Sequence, residues 1–144
     1  MHSNEQPLGA GQDVSLLRLY VLRATYMLIV VGLAAQVWPG ILSGAPNADS
    51  LRGVIDSLLG AVSLLAIVGL RYPLAMLPLL YFELVWKTIW VVAFGLPQWL
   101  AGPLSPSMAE NMLACMMGVV LFPIVIPWGH VWSRFVKASG DRWR

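Results

Sequence analysis

The sequence predicts an all-α integral membrane protein, a bundle of four spanning helices. Three observations predict it. The 144 residues are 58% hydrophobic and only 11% charged, with a mean hydropathy of +0.73, whereas a soluble domain averages about 25% charged residues. Four apolar segments stand in the chain. Each supplies roughly 20 residues, enough to cross a hydrocarbon core about 30 Å thick at about 1.5 Å per residue. Apart from Arg52, beside Asp49, the lysines and arginines outside the spans collect at one set of segment ends, as the positive-inside rule requires.

The elements follow in order. Residues 1–15, with Gly, Gln, Asn and Ser, form an N-terminal tail expected to be mobile. The bundle occupies 16–128, with spans at about 16–38, 51–70, 73–97 and 108–127. Span one ends at Pro39-Gly40. Its apolar stretch is long, no good small-x-small cleavage site follows, and three more spans come after it, so it is expected to be a span rather than a signal peptide. Residues 129–144, HVWSRFVKASGDRWR at their end, form a basic amphipathic cytoplasmic tail that attracts anionic lipid.

Orientation follows from charge. Arg18 and Arg23 open span one, Arg71 lies in the turn between spans two and three, and Arg134, Lys137, Arg142 and Arg144 follow span four. Both termini are therefore expected in the cytoplasm of a bacterial-type inner membrane. Trp38 and Trp99 would mark the outer interface, Trp128 and Trp132 the inner one.

Gly53, Ser57 and Ala61 in span two, and Ala114 and Gly118 in span four, recur at four-residue intervals that let helices approach closely. Pro78 and Pro123 are expected to kink spans three and four.

The chemistry concentrates in span three. Glu83 and Lys87 lie one helical turn apart near mid-membrane, where a charge costs at least about 2.5–3.5 kcal/mol on insertion scales. Glu83, Trp86, Lys87, Trp90 and Phe94 share one helical face. Asp56 in span two and Arg23 in span one could extend the pair into a ladder ordered Arg23, Glu83, Lys87, Asp56 from inside to outside. Glu110 and Asn111 would stand at its outer mouth. Three readings are open: a structural charge network fixing helix register, a proton or ion pathway or polar substrate site, and recruitment of a partner's buried charges. Trp86 and Trp90 could hold the Lys87 cation, line a site for a flat ligand, or simply pack.

Several classes are disfavoured. A net charge of +2 is too small to suggest nucleic-acid binding, and the single Cys115 rules out an internal disulfide or a multi-cysteine metal site. Met108, Met112, Met116 and Met117 read as adaptable filling. His2 and His130 are the only histidines. No Ser-His-Asp set, phosphate loop or metal-spaced motif is present, and no cofactor is expected.

LLRLYVLRATYMLIVVGLAA resembles the first helix of DoxX-like proteins, in which an arginine precedes an apolar helix with a later glycine. DSLLGAVSLLAIVGLRYPLAMLPLL resembles that family's second helix: an acidic residue, then Gly and Leu, then Gly-Leu-Arg at the turn. The resemblance covers spans one and two, up to the start of three. It implies a four-helix membrane fold and an accessory or quinone-related role, since some members are subunits of membrane redox complexes. The Glu83–Lys87 pair lies outside that pattern, so the resemblance assigns it no role. Small multidrug exporters also have four spans, but their functional carboxylate is in the first helix, and span one here has no acidic residue.

The leading expectation is a non-enzymatic membrane module, either a homo-oligomer or an accessory subunit of a larger membrane complex, in contact with the lipid bilayer. The alternative is a proton-coupled transporter or conductance using Glu83, with Lys87, Asp56 and Arg23 setting its charge state. A membrane enzyme acting on a lipid-soluble substrate comes third.

Overall fold

The structure, a computed structural model, describes residues 14–43 and 51–140. Most of the predicted N-terminal tail, and Arg142 and Arg144 of the basic tail, lie outside the described residues. The described residues are helical throughout, with short turns and no strand.

Helix α1, Leu16–Gln36, starts at Ser15, whose hydroxyl accepts the Arg18 backbone N–H at 3.3 Å and so satisfies one orphan donor of the first turn. It stops two residues short of Trp38, which instead opens a five-residue helix α2, Trp38–Leu42, with Pro39 in its first turn. Helix α3 is Leu51–Arg71. A turn follows, closed by Met76 N–H on Tyr72 C=O at 3.1 Å, and helix α4, Leu77–Trp90, begins four residues later than Pro73, where the sequence places the span's start. Pro78 therefore falls in the first turn of α4, where its missing N–H has no partner to lose. The kink expected there does not form.

A π turn at Val91–Gly95 carries α4 into helix α5, Leu96–Ala101. Pro97 lies in the first turn of α5 and has no N–H to give. The turn before it widens, and the Leu96 N–H reaches back five residues to Val91 C=O. Span three thus continues past Pro97. Helix α6, Pro106–Val125, opens at Ser105, whose hydroxyl accepts the Met108 N–H, and holds Pro123 in its last turn. Helix α7, Trp128–Val131, runs into a second π turn at Trp132–Lys137.

Four stretches are long and apolar enough to cross a membrane: Leu16–Gln36, Leu51–Arg71, Leu77–Ala101 and Pro106–Val125. They assemble as two pairs. Helix α1 packs chiefly on α3, and α4 on α6; the pairs join where α1 meets α6 and α3 meets α4. The core gathers Leu22, Tyr26 and Ile29 of α1, Val62 and Ala66 of α3, Leu77 and Leu80 of α4, and Phe122 and Val125 of α6. Large apolar side chains such as Leu28, Val31, Leu58, Val85, Leu113 and Ile124 point outward. An apolar surface of that extent suits hydrocarbon, where helices satisfy their own backbone groups.

The first pair closes tightly. The Tyr26 ring lies on Gly69, where an added Cβ would come within 2.5 Å of it, and its hydroxyl donates to Pro73 C=O at 3.0 Å. The Trp38 indole N–H donates to Ser63 at 2.8 Å, and Ser63 in turn to Gly60 C=O. The buried face of α3 is Gly60, Val62, Ser63, Ala66 and Gly69. The expected stripe of Gly53, Ser57 and Ala61 is turned away from it, with Ser57 and Ala61 exposed. On α6, Ala114 is exposed too, while Cys115 and Gly118 are buried. The small residues that admit a neighbour are those under a ring or a long stem, which spacing alone does not select.

Candidate functional site

Glu83 is the most deeply buried charged residue described, 2% exposed. It lies in the middle of α4, on the side that packs on α6. Helical geometry brings residues three and four positions on into reach of its carboxylate, and both carry donors. The Trp86 indole N–H donates to Oε1 at 3.0 Å, and the Lys87 ammonium donates to Oε2. Each carboxylate oxygen thus holds one donor, and all three residues belong to one helix. Glutamate lies N-terminal to lysine, the favourable order for a pair one turn apart.

Helix α6 closes the site. The Lys87 stem lies across Gly118, where an added Cβ would come within 2.5 Å of Cδ and 2.9 Å of Cε. Only glycine leaves that groove open. The Lys87 ammonium is 4.1 Å from the Trp86 ring centroid and 5.6 Å from that of Phe122, so two aromatic faces share its charge. Cys115, one turn before Gly118, is buried. Cys115, Gly118, Phe122 and Val125 form the buried face of α6.

The remaining candidates are elsewhere. Arg23 donates from Nε to Leu70 C=O at 3.1 Å and lies 5.7 Å from the Tyr20 ring; it caps the negative end of α3. Asp56 is half-buried beside α2, with Oδ2 3.9 Å from where a Cβ on Gly40 would lie. Among the described residues the one ion pair is Glu83–Lys87, so the ladder from Arg23 to Asp56 does not form. The four charges divide because α1 and α3 pair with each other, apart from α4 and α6. Trp90 packs one turn beyond the pair, against Gly95, where an added Cβ would be 3.0 Å from its ring and 2.7 Å from Met112 Sδ. Phe94, expected on the face of Glu83, is 58% exposed because the π turn rotates it away. Glu110 and Asn111 are exposed near the start of α6.

The two charges of the pair are matched within α4. A proton passing from Lys87 to Glu83 neutralises both groups and changes no net charge. A pathway needs groups that accept and donate in turn, and the surroundings are the Trp86 N–H, a donor only, Phe122 and Gly118, which offer no side-chain relay, and the weakly hydrogen-bonding thiol of Cys115. Among the described residues no three His, Cys, Asp or Glu side chains converge as a metal ion requires. Sequence reasoning found Glu83, Lys87 and Trp86 together. It missed the covering residues Phe122 and Cys115, whose spacing of seven and three from neighbours on α6 marks a buried face without naming what it covers. No family model matches the chain, and no curated protein or solved structure is found similar to it.

Proposed function

We propose that this chain is a non-enzymatic multi-pass module of a bacterial-type inner membrane, acting as an accessory subunit or a small homo-oligomer. Its buried acid–base pair serves to hold α4 and α6 in register. The observation that carries this reading is the closed geometry of Glu83: both oxygens are satisfied within its own helix, and α6 seals the pair. The two termini lie in the cytoplasm, because Arg18, Arg23, Arg71, Arg134 and Lys137 share one end of the bundle. The outward-turned Gly53, Ser57 and Ala61 leave α3 a side on which another subunit's helix can approach closely. The likeness of spans one and two to DoxX-like proteins agrees with an accessory role.

The depth of Glu83 supports one competing reading, a proton-coupled transporter or conductance. Vesicles reconstituted with the purified chain and loaded with a pH-sensitive dye separate the two. Under the present reading, wild-type and Glu83→Gln vesicles leak protons no faster than empty ones. A proton flux present in wild type and abolished in Glu83→Gln would overturn it. Co-purification from native membranes then tells a homo-oligomer from an accessory subunit.

A further inference from the structure

The end of the bundle that holds the α3–α4 turn carries an unsatisfied polar group. The Tyr81 hydroxyl, one turn into α4, is fully enclosed and has no hydrogen-bond partner among the described residues. Two aromatic side chains from beyond α6 cover the ring: Trp128 with centroids 6.4 Å apart and tilted, and Phe135 edge-on at 6.3 Å. Both covers are themselves exposed. A buried phenol without a partner is unfavourable, so this one awaits an acceptor. Phe135 belongs to the turn that carries Arg134 and Lys137, both exposed, and Arg18 reaches the same end by donating to Ile126 C=O at 3.2 Å. No acidic side chain among the described residues stands at this end: Asp56 and Glu110 lie toward the other, and Glu83 is neutralised by Lys87.

A buried donor beneath two exposed aromatic covers that can swing aside, a basic rim and apolar flanks at Phe82 and Ile124 form one arrangement. The geometry points to a site for one anionic phospholipid, its phosphate or ester oxygen accepting from Tyr81, its charge met by Arg134 and Lys137, and its acyl chains on the outward faces of α4 and α6. The inference rests on the membrane reading of the four helices. It goes beyond the general attraction of a basic tail for anionic lipid by assigning a stoichiometry of one and a named donor.

Native mass spectrometry of the detergent-purified full chain, titrated with phosphatidylglycerol or phosphatidylcholine, tests it. One phosphatidylglycerol is retained by wild type in preference to phosphatidylcholine. Tyr81→Phe weakens that retention about tenfold, the worth of one hydrogen bond to a charged group. Arg134→Gln/Lys137→Gln, altering exposed residues that leave the fold intact, weakens it about twentyfold and removes the preference. Equal retention of the two lipids by wild type, Tyr81→Phe binding as wild type does, or displacement of the lipid by inorganic phosphate would each overturn the site. Release of the chain from membranes by alkaline carbonate would overturn the membrane reading itself.

Discussion

The two helix pairs solve one problem in opposite ways. Between α1 and α3 the polar groups reach across: Arg23 to Leu70, Trp38 at the start of α2 to Ser63, and Tyr26 over Gly69 to Pro73. Between α4 and α6 they stay home. Glu83, Trp86 and Lys87 satisfy one another along α4 and present α6 with an apolar stem, beside which α6 sets the Phe122 ring. Cross-helix bonds name the partner chemically. A self-satisfied pair leaves recognition to shape, here the groove at Gly118. In hydrocarbon both are workable, because what is costly is a polar group left without a partner.

The largest expected effect comes from breaking the self-satisfied pair. Glu83→Ala strands the Lys87 ammonium beneath Phe122 and should cost about 3 kcal/mol. Glu83→Gln/Lys87→Met, which removes both charges, should return to within about 1 kcal/mol of wild type. Detergent-titrated unfolding followed by circular dichroism reads both. A double variant as unstable as the single one would mean that the charges do more than neutralise each other.

The glycines sharpen the contrast next. Gly69→Ala drives a methyl into the Tyr26 ring, which is wholly buried and has nowhere to go, and should cost about 2 kcal/mol. Gly118→Ala meets the middle of a flexible lysine stem and should cost about half as much, roughly 1 kcal/mol. Equal losses in the same unfolding assay would erase the distinction between a rigid and a yielding knob. The smallest effect belongs to a single cross-helix bond. Tyr26→Phe loses only the hydroxyl that Pro73 accepts, about 0.6 kcal/mol for such bonds within membranes, read as a small shift of the same transition.

Much of this was legible beforehand. Composition and four apolar runs announce the helices, and the four-residue spacing of Glu83 and Lys87, with Trp86 between, announces the pair. What stayed hidden depends on which helix faces which. Tyr26 and Gly69 are 43 positions apart and look ordinary in their own segments. The small-residue spacing of Gly53, Ser57 and Ala61 left open an internal contact or one with another subunit, and the neighbour within the chain approaches α3 on the side of Gly60, Ser63 and Gly69. Pro78 promised a kink and became part of a helix start, since a proline's effect depends on where the first turn begins. The charges of Arg23 and Asp56 were visible, but not the carbonyl and the short helix beside which each comes to lie.

The π turn at Val91–Gly95 has a mechanical consequence. Leu77–Ala101 is 25 residues, against 20 or 21 for each of the other three long helices. At about 1.5 Å per residue it measures about 37 Å, some 7 Å more than a typical hydrocarbon core. An over-long span must tilt, bend or thicken the bilayer. The widened turn offers a compliant joint at which Leu96–Ala101 can lean while Leu77–Trp90 stays seated on α6. Changes in bilayer thickness would then be taken up beyond Trp90, and the acid–base pair below it would be insulated from them.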